Sequence, residues 1–474
     1  MSTTEAAASG LEFDPRDDRS FLGHPKGLAY LAFTEAWERF SFYGMQFLLV
    51  LYMVKFLLLP GQVETVAGIE QLRSLFGGIE GQQFASAIFG TYAACAYLTP
   101  ILGGWVADRW LGKNYTVLLG AMTMAAGHIL MAFNFTFLLA LVLLILGSGL
   151  LKGNIASQVG SLYKPDDLRR GDAFQIFYLA LNAGIIAAPL IIGTLGEKVG
   201  WHYGFGAAGI GMLVGLVIYI SGQKYLPEEH LSVSKKTGEA RVPMNRNDWT
   251  ATIALVLLIP VMAIAIVPNN QFFNAFLIWA DRDFALQWGD MLIPTTWLGT
   301  FHAIVGLGSL LLVAMFYRWY AKYWTEPDEF SKMIISSLFS MAGMACLYVA
   351  AITATEGEKI SLIWPALQQI LNAIAVAHLL PVSLSLFARF APKQINATMI
   401  GLYYFNFFIA YTLVGWVGGW FETMNVADFW LIHLGFSAAS GALFLAFKLL
   451  LSKRMMLDTE QVETEAEQGE TAQA

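Results

Sequence analysis

Glu35, Ala36, Trp37, Glu38, Arg39, Phe40, Ser41, Phe42, Tyr43 and Gly44 form a charged turn inside an apolar run that reaches from about Leu28 to Leu59. The run is long enough to cross a bilayer with some tilt. Glu35, Glu38 and Arg39 stand at i, i+3 and i+4, so one helical face carries all three. Each charge costs about 2.5–3.5 kcal/mol at a lipid-facing helix centre. That face must therefore line a polar cavity or a protein interior in which the charges pair. A purely structural ion pair is the alternative, but one glutamate would satisfy it and the second is surplus. The stretch is a candidate site.

The rest of the chain agrees with a membrane setting. Of its 474 residues 57% are hydrophobic and 13% charged, which a water-soluble protein cannot hide. Two cysteines, Cys95 and Cys346, lie in apolar runs and imply neither a disulfide framework nor a metal site. The net charge of −7 comes largely from the two ends and gives no sign of nucleic-acid binding. The polar start has no basic-then-apolar leader pattern, so the first helix is expected to insert and stay.

About twelve apolar stretches of spanning length follow, near 28–59, 83–107, 114–133, 138–162, 172–196, 201–222, 250–280, 293–319, 329–354, 360–388, 396–420 and 428–450. They predict an all-α membrane protein of two six-helix bundles. The expected division is a polar tail at 1–27, a first bundle at 28–224, a linker at 225–248, a second bundle at 249–452 and an acidic tail at 453–474. Lys and Arg crowd one side of this arrangement, among them Lys26, Arg109, Lys113, Lys224, Arg318, Lys332 and Lys448. The other side holds only Arg73, Lys198, Arg282 and Lys359. This asymmetry puts both termini in the cytoplasm of a plasma membrane, the inner membrane in a bacterium.

Three further stretches carry polar groups. Gly103 to Lys113 forms a tight turn with Asp108 and Arg109, similar to the loop signature of the major facilitator superfamily. Gly147 to Asn154 places Lys152 in a glycine-rich apolar helix, where a buried amine needs a partner and Glu35 or Glu38 is the nearest candidate. Phe177 to Gly184 carries Asn182, either a ligand contact or interhelical glue.

With these in place the chain resembles the proton-dependent oligopeptide transporter family, whose first-helix motif appears as Glu35, Glu38, Arg39, Phe40, Phe42, Tyr43 and Gly44, with Phe42 in place of a tyrosine. Lys152, Asn154, Phe177, Tyr178, Asn182 and Gly184 match its fourth and fifth helices. The resemblance implies proton-coupled symport of di- and tripeptides by alternating access, with no cofactor beyond the proton gradient and a monomeric chain. It implies that Arg39, Lys152 and Tyr43 take the peptide carboxylate, and that Glu35 and Glu38 couple protons, with Glu38 paired to Lys152.

The second half departs from the family pattern. The family's seventh-helix acid stands as Asn270, and the basic residue that can face it across the outer gate stands as Gln46, so both have become amides. The acid expected before Pro381 falls at Val376, with His378 within a turn. The eighth-helix asparagine appears as His302, after Trp297, and the eleventh-helix tryptophan as Tyr403. Asn270, His302, His378 and Tyr403 are thus further candidate substrate contacts, and Gln46, Pro268 and Pro381 gate or hinge positions, beside Pro260. Loss of the second-half acids leaves a peptide ammonium without its usual counter-ion. This admits a modified or amino-blocked peptide, or another organic anion, as substrate. The neutral Gln46–Asn270 pair suggests the alternative, a facilitator or exchanger of a non-peptide organic anion without proton coupling, and a non-transporting receptor is a more distant one. No nucleophile–base or metal spacing points to an enzyme.

Overall fold

The computed structural model describes the backbone of residues 14–164, 166–227, 244–355, 357–392 and 394–471, and side chains up to residue 450 apart from those of Trp288 and Ala397. Most of the expected linker, with Lys235, Lys236 and Arg241, and the first part of the amino-terminal tail lie outside the described residues.

The described residues form twelve long helices: α1 (Lys26–Tyr52), α2 (Gly81–Val106), α3 (Gly112–Leu130), α4 (Phe137–Ser161), α5 (Arg169–Ala188), α6 (Trp201–Gly222), α7 (Arg246–Asn270), α8 (Trp297–Tyr320), α9 (Glu329–Ile352), α10 (Ile363–Phe390), α11 (Asn396–Tyr403 and Phe405–Gly418) and α12 (Val426–Thr471). A π-helical turn, Ala107–Leu111, joins α2 to α3, so eleven apolar segments of spanning length hold the twelve helices. The backbone of α12 continues helical through the stretch read as an acidic tail.

Local chemistry starts several of these helices. Asp18 accepts the Lys26 backbone N–H at 2.8 Å and so caps α1 from eight residues upstream. Asn245 and Asp248 form a reciprocal capping box at α7. Asp328 accepts the Ser331 N–H at α9. α7 stays helical through Pro260 and Pro268, breaks after Asn270 and resumes as a short helix, Ala275–Asp283. Pro381 lies within an unbroken α10, whereas α11 is interrupted at Tyr404.

By packing, the molecule divides into two compact units. The first comprises residues 1–235 together with 273–304 and 415–419, and the second 236–272, 305–414 and 420–474. The last part of the seventh span, the hairpin at 287–292 and the start of α8 thus pack with the first-half helices.

Within the first unit α1 is buried on nearly all sides and packs against α5 and α6. Small residues set the other crossings. A Cβ added to Gly103 on α2 would sit 2.0 Å from the Gly149 carbonyl oxygen on α4, and one on Gly184 of α5 would sit 2.1 Å from the Ala36 carbonyl oxygen on α1. The first approach closes α2 on α4, and the second brings α5 against the charged turn. Gly103→Ala is therefore expected to lower the thermal stability of the detergent-solubilised protein by about 1–3 kcal/mol through overpacking. Gly104→Ala, where an added Cβ meets nothing within 4 Å, should leave it unchanged. Equal melting temperatures for the two variants would contradict this account of the α2–α4 seam.

The second unit has its own apolar core. Leu255, Leu258, Ile259 and Met262 of α7 are buried with Met333 of α9, Leu386 and Phe387 of α10 and Phe444 of α12. Two serine pairs, Ser337–Ser440 at 3.2 Å and Ser340–Ser437 at 2.8 Å, tie α9 to α12. Ser337, Ser437 and Ser440 also lie within hydrogen-bonding distance of a carbonyl oxygen one turn back on their own helices, so these buried hydroxyls are satisfied both within and between helices.

Candidate transport site

The charged turn lies on the middle of α1, inside the first unit. Glu38 is fully buried and Glu35 is 2% exposed. Arg39 serves both carboxylates. Its Nε and one terminal nitrogen donate to Glu35 Oε1 at 2.8 and 2.6 Å, and its Nε lies 3.2 Å from Glu38 Oε2. Glu35 is thus held by a two-pronged, charge-assisted contact. Glu38 has only the longer ion contact, and neither of its oxygens accepts a hydrogen bond. One guanidinium shared by two carboxylates leaves a surplus negative charge in the interior, the condition under which a bound proton or a neighbouring cation stabilises the cluster.

That neighbouring cation is Lys152, on α4. Sequence reasoning paired it with Glu38. Among the described residues no carboxylate comes within ion-pair distance of it. Its ammonium sits 3.5 Å from the centroid of the Phe42 ring and 5.7 Å from that of Tyr97. An aromatic face attracts a desolvated ammonium by about 2 kcal/mol. This contact occupies one direction of the ammonium and leaves hydrogen-bond donors for another partner. The residue at 42, where this chain departs from the family motif, is the one that holds the lysine.

The remaining first-unit candidates surround this centre unevenly. Tyr43 packs edge-on to Phe42 and tilted against Phe47 and Phe273. His302 meets the edge of Phe273 at 5.8 Å. Asn182 donates to the Tyr178 carbonyl oxygen of its own helix at 2.8 Å, and Gln46 is buried lower on α1. In the turn after α2, Arg109 lies over the Trp105 ring at 6.0 Å from its centroid.

Three contacts in this unit had no sequence signal. Lys55, near the end of the first span, pairs with Asp281 at 2.8 Å. Glu197, at the end of the fifth span, accepts the Thr295 and Thr296 backbone N–H groups at 2.8 Å each and the Thr296 hydroxyl at 2.6 Å. It thereby caps the start of α8 from about a hundred residues away. Trp297 donates its indole N–H to the Thr194 hydroxyl at 2.8 Å.

In the second unit Asn270 accepts from the Tyr411 hydroxyl at 3.4 Å and keeps an unpartnered amide nitrogen. Asn269 beside it bonds Asn372 of α10, and Gln271 donates to the Val414 carbonyl oxygen at 3.1 Å. These side chains tie the break in α7 to α10 and α11. Tyr403 shares a hydrogen bond with Ser383 at 3.1 Å. His378 bonds the Ile374 carbonyl oxygen at 2.8 Å and packs against Tyr317 and Phe339. Cys95 and Cys346 are both free.

Comparison with known proteins places this arrangement. The model of the POT family matches residues 114–237 and 228–430. A transporter of Bacillus subtilis named YclF, itself uncharacterised, is 30% identical over 88% of this chain and 93% of its own length. The peptide transporter YePEPT of Yersinia enterocolitica is 29% identical over 85% of this chain and 89% of its own. The crystal structure of a peptide transporter POT in complex with sulfate superposes with a TM-score of 0.79 at 26% identity, covering 96% of this chain and 99% of that one. With the family model spanning both halves and a near-full-length relative at this identity, the chain belongs to the POT family.

Proposed function

We propose that the protein is a proton-coupled symporter that imports short peptides by alternating access, as a monomer in the plasma membrane with both termini cytoplasmic. The observation that carries this reading is the buried cluster of α1 and α4. Two carboxylates share one guanidinium, and an ammonium beside them has an aromatic face but, among the described residues, no carboxylate as its partner. Such a cluster has a use for exactly the two species that a peptide symporter moves. A proton relieves the surplus carboxylate, and a peptide carboxylate supplies the missing partner of the lysine. The peptide transporters among its relatives support the choice of substrate class.

The test is uptake into proteoliposomes under an imposed inward proton gradient, with labelled dialanine and its amino-blocked analogue in parallel. Gradient-dependent accumulation of a peptide, abolished by a protonophore, is expected. Equilibration without accumulation overturns the coupling, and uptake of neither compound overturns the peptide reading.

A further inference from the structure

Outside the charged turn, the second unit contains a cavity of about 550 Å³ along the seam between α8 and α10. Its α8 wall is a single stripe, Leu310, Val313, Ala314, Tyr317 and Arg318, at the spacing of one helical face. Its α10 wall is Ala377, His378, Pro381 and Val382. Gly306 extends the α8 stripe by a turn, and a Cβ added there would meet nothing within 4 Å. In the first half, the helices in the corresponding order, α2 and α4, close their seam backbone to backbone through Gly103 and Gly149. The α8–α10 seam is instead an open apolar slot with exposed Ala314 and Pro381 on its rim.

The slot is polar at one end only. Arg318 stands in the last turn of α8, Lys332 in the first turn of α9, and Glu326 in the loop between them. Lys332 pairs with Glu326 and lies 4.6 Å from the centroid of the Tyr317 ring. Arg318 has no ion-pair partner among the described residues. Two cations and one anion leave the mouth with a net charge of +1. It opens at the end of the bundle that the Lys/Arg asymmetry assigns to the cytoplasm. Exposed Trp319, Tyr323 and Trp324 cluster beside it, as side chains do at a headgroup boundary.

We propose that this seam is a binding site for an anionic membrane phospholipid, with an acyl chain between the α8 and α10 stripes and the headgroup phosphate at Arg318 and Lys332. The apolar length of the slot needs a filler that water cannot supply. The single positive charge of its mouth matches the single negative charge of a phosphodiester. A cationic pocket between helices at the cytoplasmic boundary is a setting in which anionic headgroups bind. A zwitterionic lipid offers the same chains without the net charge.

The test is native mass spectrometry of the full chain released from detergent carrying dioleoyl phosphatidylglycerol or dioleoyl phosphatidylcholine. One phosphatidylglycerol is expected to be retained about tenfold more strongly than phosphatidylcholine. Arg318→Gln combined with Lys332→Gln should reduce retention to the phosphatidylcholine level. Ala314→Trp, which fills the slot and keeps the charges, should abolish it, and Lys322→Gln, outside the cavity, should change nothing. Equal retention of the two lipids, or undiminished retention in Ala314→Trp, overturns the site. Displacement of the lipid by an equal concentration of glycerol phosphate overturns the role of the acyl slot. If the double charge variant does not fold, the Ala314→Trp comparison decides alone.

Discussion

Glu38→Gln is expected to abolish gradient-driven accumulation while leaving exchange of substrate across the membrane intact. The two acids of the turn are not equivalent. Glu35 receives two hydrogen bonds from Arg39, whereas Glu38 has one ion contact at 3.2 Å and no hydrogen bond. A proton on Glu38 disturbs fewer contacts than a proton on Glu35, so Glu38 is the carboxylate we expect to load and unload. Glutamine has the shape of a protonated glutamate and cannot release the proton, which fixes the site in one of its two charge states. The expected size of the effect follows from the driving force. One charge moved through 100 mV supplies about 2.3 kcal/mol. At about 1.4 kcal/mol per factor of ten, that sustains roughly fifty-fold accumulation of a zwitterionic peptide. The variant should bring the ratio to about one, at equal protein incorporation, with counterflow preserved. A Glu38→Gln protein that still concentrates peptide would sink the coupling role. Glu35→Gln provides the contrast, because it removes a hydrogen-bonded partner of Arg39 and is expected to lower stability as well as transport.

The charged turn was legible in the sequence because nothing else explains three charges within an apolar run. The twelve spans were legible because length and hydropathy alone define a crossing. What stayed hidden depends on which helices meet. Asn269 bonding Asn372, Gln271 bonding the Val414 carbonyl oxygen and Glu197 capping α8 each join residues about a hundred or more positions apart. Pro260 and Pro268 drew attention as hinge positions, yet α7 remains helical through both and breaks at the amide-rich stretch that follows. There the side chains of Asn269, Asn270 and Gln271 bond to α10 and α11, so the irregular backbone is enclosed by protein at membrane depth. In the sequence His378 is a candidate substrate contact, within a turn of the place of the missing acid. Its ring lies between Tyr317 and Phe339, on the wall of the α8–α10 slot. The helix number was readable there; which face of α10 points where was not, because α8, α9 and α10 all present apolar and aromatic residues on several sides.

Lys152→Gln should raise the apparent dissociation constant for peptides with a free carboxylate by about a hundredfold and leave carboxy-amidated peptides unaffected. Removing one partner of a buried charge pair costs about 2–5 kcal/mol, and a hundredfold corresponds to about 2.8 kcal/mol within that range. The argument rests on where the ammonium sits. Had Lys152 been locked to Glu38, its removal would leave a buried carboxylate unpaired and act mainly on stability. With the Phe42 ring at 3.5 Å as its neighbour, the ammonium is positioned by a contact worth less than a salt bridge. A substrate carboxylate can then take the strong interaction for itself. The amidated peptide separates the two roles. If Lys152 merely balances the charge of the Glu35–Glu38–Arg39 cluster, its loss weakens both peptides equally. If it binds the carboxylate, only the free acid is affected. Phe42→Leu supplies the intermediate case, since it keeps the charge and removes the ring. It should weaken binding of the free-acid peptide by less than Lys152→Gln does, because the ammonium loses its positioning but remains available. Competition binding of free and amidated dialanine to the three proteins measures all of these effects, and equal losses for the two ligands in Lys152→Gln would return the lysine to a structural role.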